Sequence, residues 1–137
     1  MRIFLDTNVL ASAIATRGIC ADVLHVAMAE HDLVISEQVL TELGRVLREK
    51  FRTPDEVAQE TEDFLRREAE VVARATKIDF TVRDPDDVAI VEHAVAGNAD
   101  LLVTGDRDLI EAVDPPLRIL TPRGFWDLLR SQSTESE

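Results

Sequence analysis

Four acidic residues spread along a chain of 137, Asp6, Glu42, Asp87 and Asp106, each stand where a local element could deliver a side chain to one shared pocket. Two of them follow short apolar runs, Ile3-Phe4-Leu5 before Asp6 and Leu101-Leu102-Val103-Thr104-Gly105 before Asp106. Open α/β sheets gather their ligands beyond such strand ends. Carboxylates brought together raise each other's pKa, so the cluster is costly unless a cation occupies it. Hard ions such as Mg²⁺ or Mn²⁺ prefer oxygen, and Mg²⁺ keeps several waters, so a few convergent acids suffice. His25, His31 and His93 are scattered and form no zinc spacing. One or two such ions would equip the site to hydrolyse a phosphodiester, which needs a nucleophilic water, a neutralised phosphate and a stabilised leaving oxygen.

Each acid also has a plainer reading. Asp6 with Thr7 and Asn8 places a carboxylate, a hydroxyl and an amide at the mouth of a sheet, yet Asp6 could equally cap the helix that follows. Asp106 repeats the arrangement after Thr104-Gly105, with Gly105 permitting a sharp turn. Asp108 is either an extra ligand or a first-turn acid favoured by the helix dipole. Asp84, Asp86 and Asp87 crowd one helix start, where acids ordinarily cap, so at least one of them does only that. Glu42 lies at the edge of its helix's apolar stripe, between Val39 and Val46, in a position to lean into a pocket.

The elements that must position these residues follow from periodicity. Short apolar runs alternate with longer helical stretches, which is an α/β pattern. Strands are expected at residues 2–5, 33–35, 101–104 and 118–120. Helices are expected at 8–15 and 21–30, separated by a loop around Arg17-Gly18, and at 37–50 after a Ser36 cap. Thr53 as cap and Pro54 at the first helical position start another, running to about residue 69. Residues 70–75 read as a helix extension or as a strand, since Val71 and Val72 are β-branched. Asp84-Pro85 opens a helix to about Ala96, ended by Gly97-Asn98. A short helix over 106–113, a break at Pro115-Pro116 and a closing helix over 122–130 complete the domain. Phe125 and Trp126 on that last helix are either core or interface, with core the better reading. Residues 1–130 form a single domain, and the polar tail 131–137 is expected to be disordered.

Composition sets outer limits. The length suffices for a core without disulfides, and Cys20 is the only cysteine, which points to a reducing compartment. The N-terminus opens straight into a strand-like run without signal-peptide regions, and nothing approaches membrane-spanning length, so a cytoplasmic location is expected. A formal charge of −12 argues against gripping nucleic acid with a basic surface. It leaves room for a nuclease, because cations held by carboxylates can draw phosphate in. It also invites a basic partner. Thirteen of the fifteen basic residues are arginine, which would suit planar phosphate recognition, although genome base composition is the plainer and better account.

At these residues the sequence resembles the PIN-domain family, and within it the VapC-like toxin ribonucleases of toxin–antitoxin pairs. The matching segments are Ile3-Phe4-Leu5-Asp6-Thr7-Asn8-Val9, Ser36 through Leu47 with Glu42, Asp84-Pro85-Asp86-Asp87 with the helix through Ala94, and Leu102-Val103-Thr104-Gly105-Asp106-Arg107-Asp108-Leu109. The resemblance implies a three-layer α/β/α fold with a central parallel sheet of four or five strands. It implies Asp6, Glu42, Asp87 and Asp106 as Mg²⁺ or Mn²⁺ ligands, with Asp108 optional and Thr7, Asn8 and Thr104 in support. Asp87 is preferred to Asp84 and Asp86 by its interval to Ala94. The implied activity is metal-dependent cleavage of single-stranded or looped RNA, leaving a 5′-phosphate and a 3′-hydroxyl. Arg17, Arg45, Arg83 and Arg107 would be backbone contacts or simple surface charges. The implied partners are a cognate antitoxin and a second copy of the chain.

Three other readings compete. A structure-specific DNA nuclease shares the chemistry, but the chain is short and shows no clamp or arch insertion. A receiver or phosphatase domain also gathers acids at strand ends, but would want a late lysine, and the only lysines are Lys50 and Lys77. A PIN fold used purely as a binding module would keep its acids without turnover. If the acids do form a cation site, excess Mg²⁺ or Mn²⁺ raises thermal stability, by about 2.7 kcal/mol at a hundredfold excess over Kd. A melting temperature indifferent to either ion contradicts the site.

Overall fold

The computed structural model describes residues 1–135, and the side chains of residues 1–132. Its five strands are β1 (Arg2–Leu5), β2 (Asp32–Ser36), β3 (Glu70–Val72), β4 (Leu101–Val103) and β5 (Arg118–Leu120). They form one parallel sheet in the order β3-β2-β1-β4-β5. The helices are α1 (Thr7–Ala15), α2 (Ile19–Glu30), α3 (Glu37–Glu49), α4 (Asp55–Glu68), α5 (Pro85–Ala96), α6 (Arg107–Ile110) and α7 (Pro122–Glu135). Parallel crossovers are right-handed. Strands β1 to β3 step one way across the sheet and put α1 to α4 on one face. The return from β3 to β4 then places α5 on the other.

Strands covered on both faces must be apolar throughout rather than alternating. The three central strands obey this: Ile3, Phe4, Leu5, Leu33, Val34, Ile35, Leu101, Leu102 and Val103 are all buried. The edge strands β3 and β5 are partly exposed. Val71 and Val72 pair with Ile35 and Ser36, which settles residues 70–72 as strand. On α3 the stripe Val39, Leu40, Leu43 and Leu47 is buried, and Ser36 caps the helix by accepting from the Val39 N–H at 3.1 Å. Phe125 is fully buried and meets His31 edge-on, while Trp126, Leu128 and Leu129 are partly buried against the core. No single helix among the described residues is long and apolar enough to cross a membrane. The apolar pair α1 and α2 is bent by 103° and contributes to the core.

Several boundaries differ from the sequence reading. Helix α4 begins at Asp55, with Pro54 outside it at φ −56°, ψ 144° and no side-chain cap. Proline's fixed φ suits an extended residue as well as a first helical one. Helix α6 stops at Ile110 rather than Val113, ahead of Asp114 at φ 50° and the two prolines; a residue before proline is pushed away from helical geometry. Helix α7 continues past Arg130 to Glu135, so helix takes up residues 131–135 of the expected disordered tail, and residues 136 and 137 lie outside the described residues.

Gly97 and Asn98 divide the work of ending α5. Asn98 takes the left-handed conformation at φ 53°, whereas Gly97 has ordinary φ and is needed for space. A Cβ at Gly97 would lie 2.7 Å from Val34 Cγ1 and 2.9 Å from Val72 Cγ2. Gly97→Ala is therefore expected to destabilise the fold by about 1–3 kcal/mol in urea denaturation, as overpacking does. An unchanged midpoint contradicts this close approach of α5 to the sheet.

Candidate active site

The order of strands reverses between β1 and β4: the chain leaves β1 toward β2 and β3, then returns to β1's other side. Ligands of open α/β sheets bind at such a switch point, beyond the carboxyl ends of the strands. Pairing of Leu5 with Val103 carries Asp6 and Thr104 side by side past those ends, and Asp6 N–H donates to Val103 O at 3.2 Å. Thr104, fully buried, donates its hydroxyl to Asp6 Oδ2 at 2.5 Å and accepts from Asp106 N–H at 3.0 Å. This hydroxyl organises the turn into Asp106 in the manner of a Ser/Thr turn. Gly105, by contrast, has no positive φ, and a Cβ there would meet nothing within 4 Å, so the turn does not depend on it.

Asp6 and Asp106 are both caps and pocket residues. Asp6 Oδ1 accepts from Asn8 N–H and Asp106 Oδ1 from Asp108 N–H, each at 2.9 Å. The capping and pocket readings thus describe the same side chains. Glu42 arrives from α3 and is held at both oxygens, by Thr7 Oγ1 at 3.0 Å and Gln38 Nε2 at 3.1 Å. At the start of α5 the three aspartates separate. Asp84 caps the helix, accepting from Asp86 N–H at 3.0 Å. Asp86 and Asp87 line a cavity of about 250 Å³ together with Asp6, Glu42 and Asp106.

Within that cavity all four sequence-singled acids meet, along with Thr7 and Asn8. Asp87, Asp106 and the exposed Asp108 offer carboxylate oxygens within 4.8 Å of one another. Thr104 lies beneath, bonded to Asp6. The sequence reading did not single out Gln38, although its i,i+4 spacing from Glu42 was a usable signal. It also left Asp86 and the apolar wall residues Val46 and Ile90 out of the pocket. Of the four arginines considered as backbone contacts, Arg45 lines the cavity.

Electrostatics reflect the crowding. Burial raises the pKa of Asp6; its bonds from Thr104 and Asn8 pull the other way, and the charges of Asp106 and Glu42 add to the rise. Asp87 is pushed up to about 7, first by burial, then by sharing a hydrogen bond with Asp106 and by the charges of Asp106, Asp84 and Asp6. An oxygen-only set of carboxylates, with no histidine or cysteine in the pocket, suits a hard divalent cation. In the metal-free protein the raised folded pKa of Asp87 favours the protonated folded state. Its contribution is complete below about 4, the ordinary range, and is lost as pH rises through about 7. Asp87→Asn, which mimics the protonated acid, should therefore gain in melting temperature over the wild type as pH goes from 4.5 to 8 in EDTA. A difference that does not vary with pH contradicts the crowding.

Residues 2–108 match the family model of the PIN domain. In fold the chain is similar to VapBC2 from Rickettsia felis bound to a DNA fragment from their promoter, with TM-score 0.62, 22% identity, and coverage of 88% of this chain and 97% of that one. It is similar also to VapBC-1 from nontypeable Haemophilus influenzae, with TM-score 0.59, 18% identity, and coverage of 90% and 99%. No curated protein matches the sequence. At these identities the solved structures speak to the fold alone, whereas the family match spans β1 through Asp108 and takes in all five carboxylates that line the cavity at the switch point. The chain belongs to the PIN-domain family.

Proposed function

We propose that the chain is a divalent-metal-dependent endoribonuclease, the toxin of a toxin–antitoxin pair, and that Asp6, Glu42, Asp87 and Asp106 are its metal-holding residues. The observation that carries this reading is the convergence of those four carboxylates from four separate elements on one cavity at the switch point. Asp108, within reach of Asp87 and Asp106, would add a ligand. When bound, Mg²⁺ or Mn²⁺ supplies positive charge to the scissile phosphate and the leaving oxygen, and acidifies water.

The chain's own residues do the rest. Thr104 fixes Asp6, so this carboxylate would be offered to a cation in a set orientation. Thr7 and Gln38 do the same for Glu42. Orientation of this kind removes reorganisation from the reaction step. Asp87, its pKa raised to about 7, would be partly protonated near neutral pH without a cation, and a bound cation would favour its carboxylate form, since opposite charge favours the charged state. Asn8, exposed and lining the cavity, would orient water or phosphate.

The partner half of the proposal rests on charge and on the similarity to VapBC2 and VapBC-1. A chain of formal charge −12 with five carboxylates lining one cavity would accept a basic antitoxin segment. The protein would act as a homodimer in the cytoplasm, where its RNA is.

Purified protein with a pool of single-stranded and structured RNA is expected to cut with Mg²⁺ or Mn²⁺ and to stop in EDTA. Asp6→Asn should fold normally by circular dichroism and lose about 100-fold or more in rate. Cutting of single-stranded DNA in preference to RNA would replace the substrate assignment. Turnover unaffected by Asp6→Asn would overturn the site.

A further inference from the structure

A second cavity, of about 500 Å³, opens beside the acidic one and shares Glu42, Arg45 and Asp86 with it. Its remaining walls are Gln38 and Thr41 of α3. Residues 38, 41, 42 and 45 recur at three- and four-residue intervals, so they form one stripe of that helix. The volume falls within the ~300–1,000 Å³ of small-ligand sites. The two cavities thus adjoin, with Glu42, Arg45 and Asp86 forming the shared wall of a two-part trough.

Among the described residues Arg45 is the one cation lining either cavity, against five carboxylates in the first. Despite that surplus, no carboxylate lies within ion-pair distance of it among the described residues. One turn further on, Arg48 is committed to structure, pairing with Asp55 at 3.0 Å and Glu62 at 3.4 Å. Arg66 on α4 is likewise held by both oxygens of Glu37. The guanidinium of Arg45 is exposed and keeps all five of its donors for a ligand. Thr41, by contrast, spends its hydroxyl on Glu37 O, and Gln38 its amide N–H on Glu42, which leaves the arginine as the strongest open donor in the trough.

A polyanion entering a carboxylate-lined site needs positive charge on its flanks as well as at the reacting phosphate. We infer that the second cavity holds the nucleotide next to the bond that is cut, and that Arg45 binds the phosphate of that nucleotide. The inference deepens the nuclease reading and rests on it. A planar guanidinium can grip two phosphate oxygens at once, which an ammonium cannot. The contact also adds one released counterion to the binding equilibrium.

The test is binding of a fluorescent random-sequence single-stranded RNA by anisotropy across a salt series in Mg²⁺, with cleavage of the same pool measured in parallel. Because Arg45 is exposed and unpaired, Arg45→Ala should melt like the wild type. It is expected to weaken RNA binding about tenfold and to flatten the log K against log salt slope by about 0.7, the value for one phosphate on a single strand. Arg45→Lys should restore the slope but only part of the affinity. Wild-type RNA binding with an unchanged slope and affinity in Arg45→Ala would overturn the subsite and leave the nuclease reading standing. Failure of the wild type both to bind and to cut would overturn the subsite together with the reading beneath it.

Discussion

The hydroxyl of Thr104 joined to the carboxylate of Asp6 ties together two strand ends that are 98 residues apart in sequence. That contact exists only if β1 and β4 are neighbours in one particular register, with Leu5 beside Val103. A one-residue slip of that register would exchange the faces of the strand and part Thr104 from Asp6, so register and contact stand together. From this one junction the rest follows: Asp106 is turned inward by the same hydroxyl, α1 starts under the Asp6 cap, and Thr7 reaches across to Glu42 on α3.

Such a junction carries a cost. Several carboxylates are partly buried together at one switch point, and the raised pKa of Asp6 and Asp87 reflects that burial first and their mutual repulsion after it. The fold offsets part of the cost locally, since Asp6 and Asp106 each accept a backbone N–H at a helix start. Helix N-termini favour negative charge there. In the proposed function the remainder is a demand for positive charge from outside, which a cation at the four acids would meet. Site chemistry and fold stability are therefore two consequences of one arrangement.

Much of this was readable from the residues. The apolar runs ending in Asp6 and Asp106 located two central strands and the acids beyond them, because a strand covered on both faces leaves a simple signature. Ser36 and the α3 stripe were equally direct. Ambiguity persisted where local signals support two outcomes. Residues 70–72 became strand only because β2 offered an edge to pair with, a fact that lies outside their own sequence. Asp84, Asp86 and Asp87 are chemically alike, and only the α5 helix start separates the cap from the two that face the cavity. Gly105 was credited with a turn that the Thr104 hydroxyl makes, and the importance of Gly97 lay in the valines of two strands far from it in sequence. The role of Gln38 depended on a partner whose own role was undecided.

In the proposed function the acids at the switch point together hold a divalent cation. Electron paramagnetic resonance of Mn²⁺ addresses it directly, because the free aqua ion gives a signal that protein binding removes. The account predicts that added protein depletes this signal in proportion to its concentration, that excess Mg²⁺ restores it, and that an Asp6→Asn, Asp106→Asn double variant leaves it untouched. A free Mn²⁺ signal unaffected by the wild-type protein would contradict the account.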